Sequence, residues 1–207
     1  MKRRLMQCQA VFALLVSCAA CVTVGIERSY PEKRYFALEI RADLHPANPR
    51  VEQTLEVSSL RVSPRYSDKN FVYRISDAGY ESDFYNEFLV APALLITEEV
   101  RKGLGNAQVF KHVIGPSSQA QPSYILEGTV NALYGDFRKM SAPMAVLETE
   151  FFLNSTLPEK PGIVMHKRYS KAVPLSSRSP EALVQGWNEA LGAIVISLAA
   201  DIKAANL

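Results

Sequence analysis

Apolar and polar residues alternate at period two through three stretches in the second half of the chain. Tyr124 to Tyr134 sets Tyr124, Leu126, Val130, Ala132 and Tyr134 on one face and Glu127, Thr129 and Asn131 on the other, which predicts a long antiparallel strand with one wet face. Ala145 to Asn154 repeats the pattern, with Leu147, Thr149, Phe151 and Leu153 against Glu148, Glu150 and Asn154, and should pair with it. Val164 to Pro174 is the third arm, closing a meander through the turn at Pro158–Gly162. The period then changes. Leu183, Trp187, Leu191, Ile194, Leu198 and Ile202 recur at spacings of three and four, so a helix is predicted to about Ala205, with Ser179 as its N-cap and Pro180 at its first position.

The first half reads less regularly. Tyr35–Ile40 and Thr54–Val62 predict strands, separated by a loop around His45–Pro49. Phe71–Ile75, the turn Asp77-Ala78-Gly79 and a return arm Tyr80–Phe84 predict a hairpin. Pro92 suits the first turn of a helix whose stripe is Ala93, Ile96, Thr97, Val100 and Leu104, and Gly105 is placed to end it. A short strand Val109–Ile114 and a Ser/Gln/Pro loop from Gly115 to Pro122 complete the series. These elements predict an α+β fold, an antiparallel or mixed sheet with long hairpins packed against two helices at about 92–104 and 180–205.

The N-terminus changes the picture. Lys2-Arg3-Arg4 precedes an apolar run, Ala10 to Val16, too short to span a bilayer, as in a secretory signal over residues 1–17. Residues 18–33 read as anchor and linker, with Gly25 and Pro31 in a polar spacer, and 34–207 as one domain. The formal net charge of +2 becomes slightly negative without those three basic residues, which argues against a general nucleic-acid binder. All three cysteines, Cys8, Cys18 and Cys21, precede the domain, which excludes a disulfide framework or Cys-based zinc site within it.

Chemical motifs are sparse. His45, His112 and His166 sit in separate elements, without ligand spacing for a metal. The chain has no G-x-S-x-G elbow, no P-loop and no dinucleotide fingerprint, so no catalytic residue and no cofactor is expected. Glu148 and Glu150 share a face at period two, but as a catalytic pair they would need a cleft and a third group. Tyr73, Tyr80, Phe84, Tyr85 and Phe88 concentrate in the central block. Most read as hairpin and core packing, and the remainder as a protein-binding surface.

That block resembles the ABC-type transport auxiliary lipoprotein component family, the lipoproteins of MCE-type lipid transport systems. The resemblance is carried by Val72-Tyr73-Arg74, Tyr80, Asp83-Phe84-Tyr85, Phe88, Pro92 and the helix after it, with weaker echoes over roughly Tyr35 to Leu198. Ala91 departs from it, since the family often has a second proline or a polar residue there. Leu15-Val16-Ser17-Cys18 likewise resembles a bacterial lipobox, which implies acylation of Cys18, with Cys21 as the alternative. Ala19 in place of Asp leans toward the outer membrane. The resemblance implies a periplasmic, lipid-anchored accessory subunit that binds an MCE-domain protein, and through it an ABC permease and ATPase. Arg74, Asp83, Tyr85 and Phe88 are the candidate contact residues. Competing readings are an envelope scaffold lipoprotein that forms homo-oligomers through sheet edges and, last, a periplasmic hydrolase.

Overall fold

The computed structural model describes residues 32–40, 51–205 and 207. The expected signal segment, Cys18 and Cys21, the linker up to Pro31 and the loop at His45–Pro49 lie outside the described residues. Among the described residues nine strands form one mixed sheet with two helices, the α+β class that the periodicities predict with one strand more than they distinguish. In chain order these are β1 (Arg34–Phe36), β2 (Val51–Val57), β3 (Arg61–Val62), β4 (Asn70–Arg74), β5 (Tyr80–Phe88), α1 (Pro92–Asn106), β6 (Phe110–Ile114), β7 (Tyr124–Asp136), β8 (Met144–Ser155), β9 (Gly162–Pro174) and α2 (Pro180–Ala204).

The long strand β7 organises the sheet. On one edge it pairs antiparallel with β8, which pairs antiparallel with β9, giving the expected meander. Along the other edge β2, β3 and β4 pair with it in succession, all parallel. From there β2 leads to β6, and β4 leads through β5 to β1. The alternation in β7 slips at Asn131, because Val130 faces Thr149 while Ala132 faces Glu148, a bulge in the ladder.

Both helices cover one face of the sheet, α2 over β8 and β9 and α1 over β2, β3 and β6, and they touch each other. Helix α2 starts as its sequence dictates: the Ser179 hydroxyl accepts the Ala182 N–H at 3.2 Å. Its apolar stripe is buried, and Trp187 is 0% exposed. The indole lies 5.0 Å from Phe71 and 5.4 Å from Phe88, so the centre of the core is aromatic and joins α2 to β4 and β5.

Several boundaries differ from the sequence expectation. The strand expected over Tyr35–Ile40 ends at Phe36, because the backbone leaves the ladder and is satisfied by helix side chains. Glu39 N–H donates to Asn188 Oδ1 at 3.0 Å, and Ile40 N–H to the buried Glu99 carboxylate at 2.7 Å. The strand expected over Thr54–Val62 breaks into β2 and β3, with Leu60 N–H donating to Thr97 Oγ1 at 2.9 Å. Helix α1 runs through Gly105 to Asn106 and is capped by Ala107, whose N–H reaches Gly103 O. The left-handed position after it is taken by Gln108 at φ 47°.

Candidate docking surface

The hairpin β4–β5 is expected to end its return arm at Phe84, but β5 continues to Phe88 through a large bulge. Val72 faces Ser82 and Asn70 faces Glu87, so Phe71 alone stands opposite the four residues Asp83-Phe84-Tyr85-Asn86. Asp83 holds this bulge shut. Its Oδ1 accepts the N–H groups of Tyr85 at 2.8 Å and Asn86 at 3.0 Å. Its Oδ2 accepts the Tyr73 hydroxyl at 2.6 Å and Asn86 Nδ2 at 2.7 Å. Burial pushes the Asp83 carboxyl up, but these four donors outweigh it and hold it below the usual aspartate value. Burial, then the adjacent carboxylate, raise the Tyr73 phenol, so it stays a donor.

The bracket turns Phe84 and Tyr85 outward. Their rings meet edge to face at 5.2 Å, and Lys33 Nζ stands 4.8 Å from the Phe84 ring centre. Tyr85 is therefore exposed, as a contact residue must be, whereas Asp83 has its carboxylate oxygens occupied within the hairpin. Phe88 is removed from the candidates. It is 2% exposed, packed on Phe71 and Trp187, because after the bulge the strand resumes with this side chain on the helix side of the sheet.

Arg74 sits at the other end of the hairpin, next to the turn. Its Nη2 donates to Asp77 O at 2.9 Å, and its guanidinium carbon lies 5.8 Å from the Tyr80 ring centre. Arg65 approaches the same ring at 5.4 Å. Tyr80 meets Tyr134 edge-on at 5.9 Å, and Tyr134 stacks on Tyr66 at 5.9 Å. The nearby carboxylates of Asp136 and Asp77 are engaged by Arg138, at 2.6 Å and 3.2 Å. The Arg138 guanidinium beside Asp136 holds that carboxyl below its ordinary value despite partial burial. Among the described residues neither Arg65 nor Arg74 has a carboxylate at ion-pair distance, although the Arg74 charge also helps hold the neighbouring Asp136 carboxyl low, and the buried Nε of Arg74 has no hydrogen-bond acceptor. Two guanidiniums and three tyrosines thus gather on the sheet face away from the helices.

Elsewhere on that face Glu150 accepts from Arg168 at 2.8 Å and contacts His166 Nε2 at 2.6 Å, while Ser170 reaches Glu148 at 3.1 Å. These are cross-strand pairs on a solvated ladder. Among the described residues no group of His, Cys, Asp and Glu could hold a metal ion.

Sequence reasoning missed Phe84 as an exposed residue, and Arg65 and Tyr134 as neighbours of Arg74. Asp83 and Asn86, two turn-forming residues inside an apparent strand, are the local signal for the bulge. Nothing local announces that Pro64–Tyr66 folds beside Tyr134.

No family model matches the chain, and no curated protein matches it in sequence. Solved structures do. The crystal structure of XCC0632 from Xanthomonas campestris, described under the family model DUF330, has a TM-score of 0.70 at 17% identity over 80% of this chain and 92% of that one. An uncharacterized protein gives a TM-score of 0.67 at 14% identity, over 83% and 99% of the two chains. The hypothetical protein CT253 from Chlamydia trachomatis gives 0.52 at 7% identity, over 73% and 98%. At these identities the likeness establishes a shared fold.

Proposed function

We propose that this chain is a lipid-anchored periplasmic accessory subunit of an ABC-type lipid transport system, acting by binding an MCE-domain protein. The segment that carries the family resemblance, Val72 to Pro92, folds as one unit: hairpin, bracketed bulge and entry into α1. The observation that carries the docking role is the Arg65–Arg74–Tyr80 cluster, where two guanidiniums flank an aromatic ring, Arg65 exposed and Arg74 set beside an Asp136 carboxylate that is itself engaged by Arg138. Arginine and tyrosine dominate binding hot spots, and a guanidinium so placed suits a carboxylate or backbone carbonyl on a partner.

The test is affinity capture from detergent-solubilised envelope with wild type, Arg74→Ala and Arg65→Ala. The expected loss is about 2 kcal/mol or more per hot spot, roughly 30-fold in Kd. Arg65 is exposed, so its variant should unfold within about 0.5 kcal/mol of wild type. Undiminished capture of the MCE protein, permease and ATPase by both variants would discard this surface.

A second reading, an oligomerising envelope scaffold, is favoured by one feature. Strand β9 pairs only with β8, so 13 residues of sheet edge face outward among the described residues. Light scattering of the detergent-purified chain alone separates the two, since the scaffold reading requires a homo-oligomer without other subunits.

A further inference from the structure

The largest collection of exposed apolar side chains lies away from the arginine cluster. Tyr35, Phe84, Tyr85, Leu89, Val90 and Leu94 are each between 38% and 65% exposed, and they sit on β1, the bulge of β5 and the turn into α1. Tyr35, Phe84, Tyr85 and Leu89 are tied to one another around the β1–β5 ladder, and Val90 and Leu94 follow in the chain. Tyr35 faces Glu87 across the β1–β5 pair, Leu89 N–H donates to Phe36 O at 2.8 Å, and Lys33 bridges Glu87 and the Phe84 ring. Ordinary monomers scatter such residues singly, so a collection like this marks a contact.

We infer that this corner rests on the bilayer, with Phe84 and Leu89 entering the boundary between headgroups and acyl chains. The inference rests on the reading that Cys18 is acylated, and three observations favour a membrane over a protein as the occupant. The first is position: the described domain begins at Glu32-Lys33, so the chain coming from the anchor arrives at the patch itself. The dozen or so residues between Cys18 and Glu32 reach at most about 45 Å even when fully extended, which bounds how far the Glu32–Lys33 end of the domain can stand from an acylated Cys18. The second is residue type. Tyrosine and phenylalanine beside leucine and valine is the composition of interfacial anchoring surfaces. Lys69, whose Nζ donates to Leu89 O at 3.3 Å, stands at the rim where a basic group meets lipid phosphates, while Lys33 and Arg34 there are paired with Glu87 and Glu181. The third is rigidity: the Asp83 bracket fixes the backbone that carries both aromatic rings, so little backbone entropy is lost on insertion.

The experiment uses the full acylated chain, reconstituted into phosphatidylethanolamine–phosphatidylglycerol vesicles that contain a lipid brominated near the glycerol end of its acyl chains. Tryptophan is placed at the patch as Phe84→Trp and, independently, Leu89→Trp. Ile163→Trp, on β9 at the opposite end of the strand order, is the control. Trp187 is buried and gives a constant background. Both patch variants should shift to the blue and lose most of their added emission to bromine, while Ile163→Trp keeps its own. Vesicle flotation separates the two ways of failing. Protein that floats with patch tryptophans no more quenched than the control overturns the membrane contact and leaves the anchor standing. Protein that does not float overturns the anchor and this inference with it.

Discussion

A carboxylate in the middle of an aromatic run looks like the polar half of an interface, but Asp83 spends both oxygens on its own hairpin. Because its folded pKa is lowered, it stabilises the fold fully above the unfolded aspartate value of about 3.9, and that contribution fades as pH falls through the folded value. Asp83→Asn should therefore lower stability at neutral pH and flatten the acid limb of stability below about pH 4. Urea unfolding from pH 3 to 7 checks it, and equal slopes for variant and wild type would deny the bracket its charge. Trp187 gives a second comparison. Its ring is fully buried, yet among the described residues Nε1 has no hydrogen-bond partner. Trp187→Ala should cost about 3–5 kcal/mol through the cavity it leaves. Trp187→Phe should cost markedly less, because it keeps much of the ring and removes an unsatisfied donor. Denaturant melts of the two variants decide the ordering.

Helix α2 lies against β8 at the closest approach that side chains allow. A Cβ on Gly186 would stand 2.7 Å from Ala145 Cβ and 2.6 Å from Leu175 Cδ2. Alanine is the better helix former by about 1 kcal/mol, but Ala145 is on a strand and cannot swing away. Overpacking costs typically about 1–3 kcal/mol, so Gly186→Ala should destabilise on balance, and a thermal melt above wild type would show that the helix can lift. The existence of α2 was legible because its signals are local: a cap hydroxyl, a proline and an uninterrupted stripe. The meander β7–β8–β9 was legible for the same reason, since period two and short turns need no distant information. The parallel pairing of β2, β3 and β4 along β7 was not, because those partners lie far apart in sequence. The candidate site was half legible. Tyr85 is exposed as read and Arg74 is only half-buried, its Nε enclosed, while Phe88 read as surface only because the bulge that rephases its strand was missed.

Across the whole molecule, the β4–β5 hairpin carries the arginine–tyrosine cluster next to its turn and the apolar corner beyond its bulge. One hairpin could thus sit on the membrane and present its other end to a protein. The two contacts differ in strength. Each buried acyl methylene contributes about 0.8 kcal/mol, so several chains on one cysteine outweigh a handful of surface side chains that insert only partly. Phe84→Ala and Leu89→Ala should therefore reorient the domain without releasing it, and membrane fractionation should find both variants as sedimentable as wild type. Cys18→Ala should release the protein into the soluble fraction, or leave it as unprocessed precursor, and mass spectrometry of the N-terminal peptide distinguishes these. If Cys18→Ala remains acylated and membrane-bound, Cys21 is the anchor. The segment between the acylated cysteine and the domain is then three residues shorter.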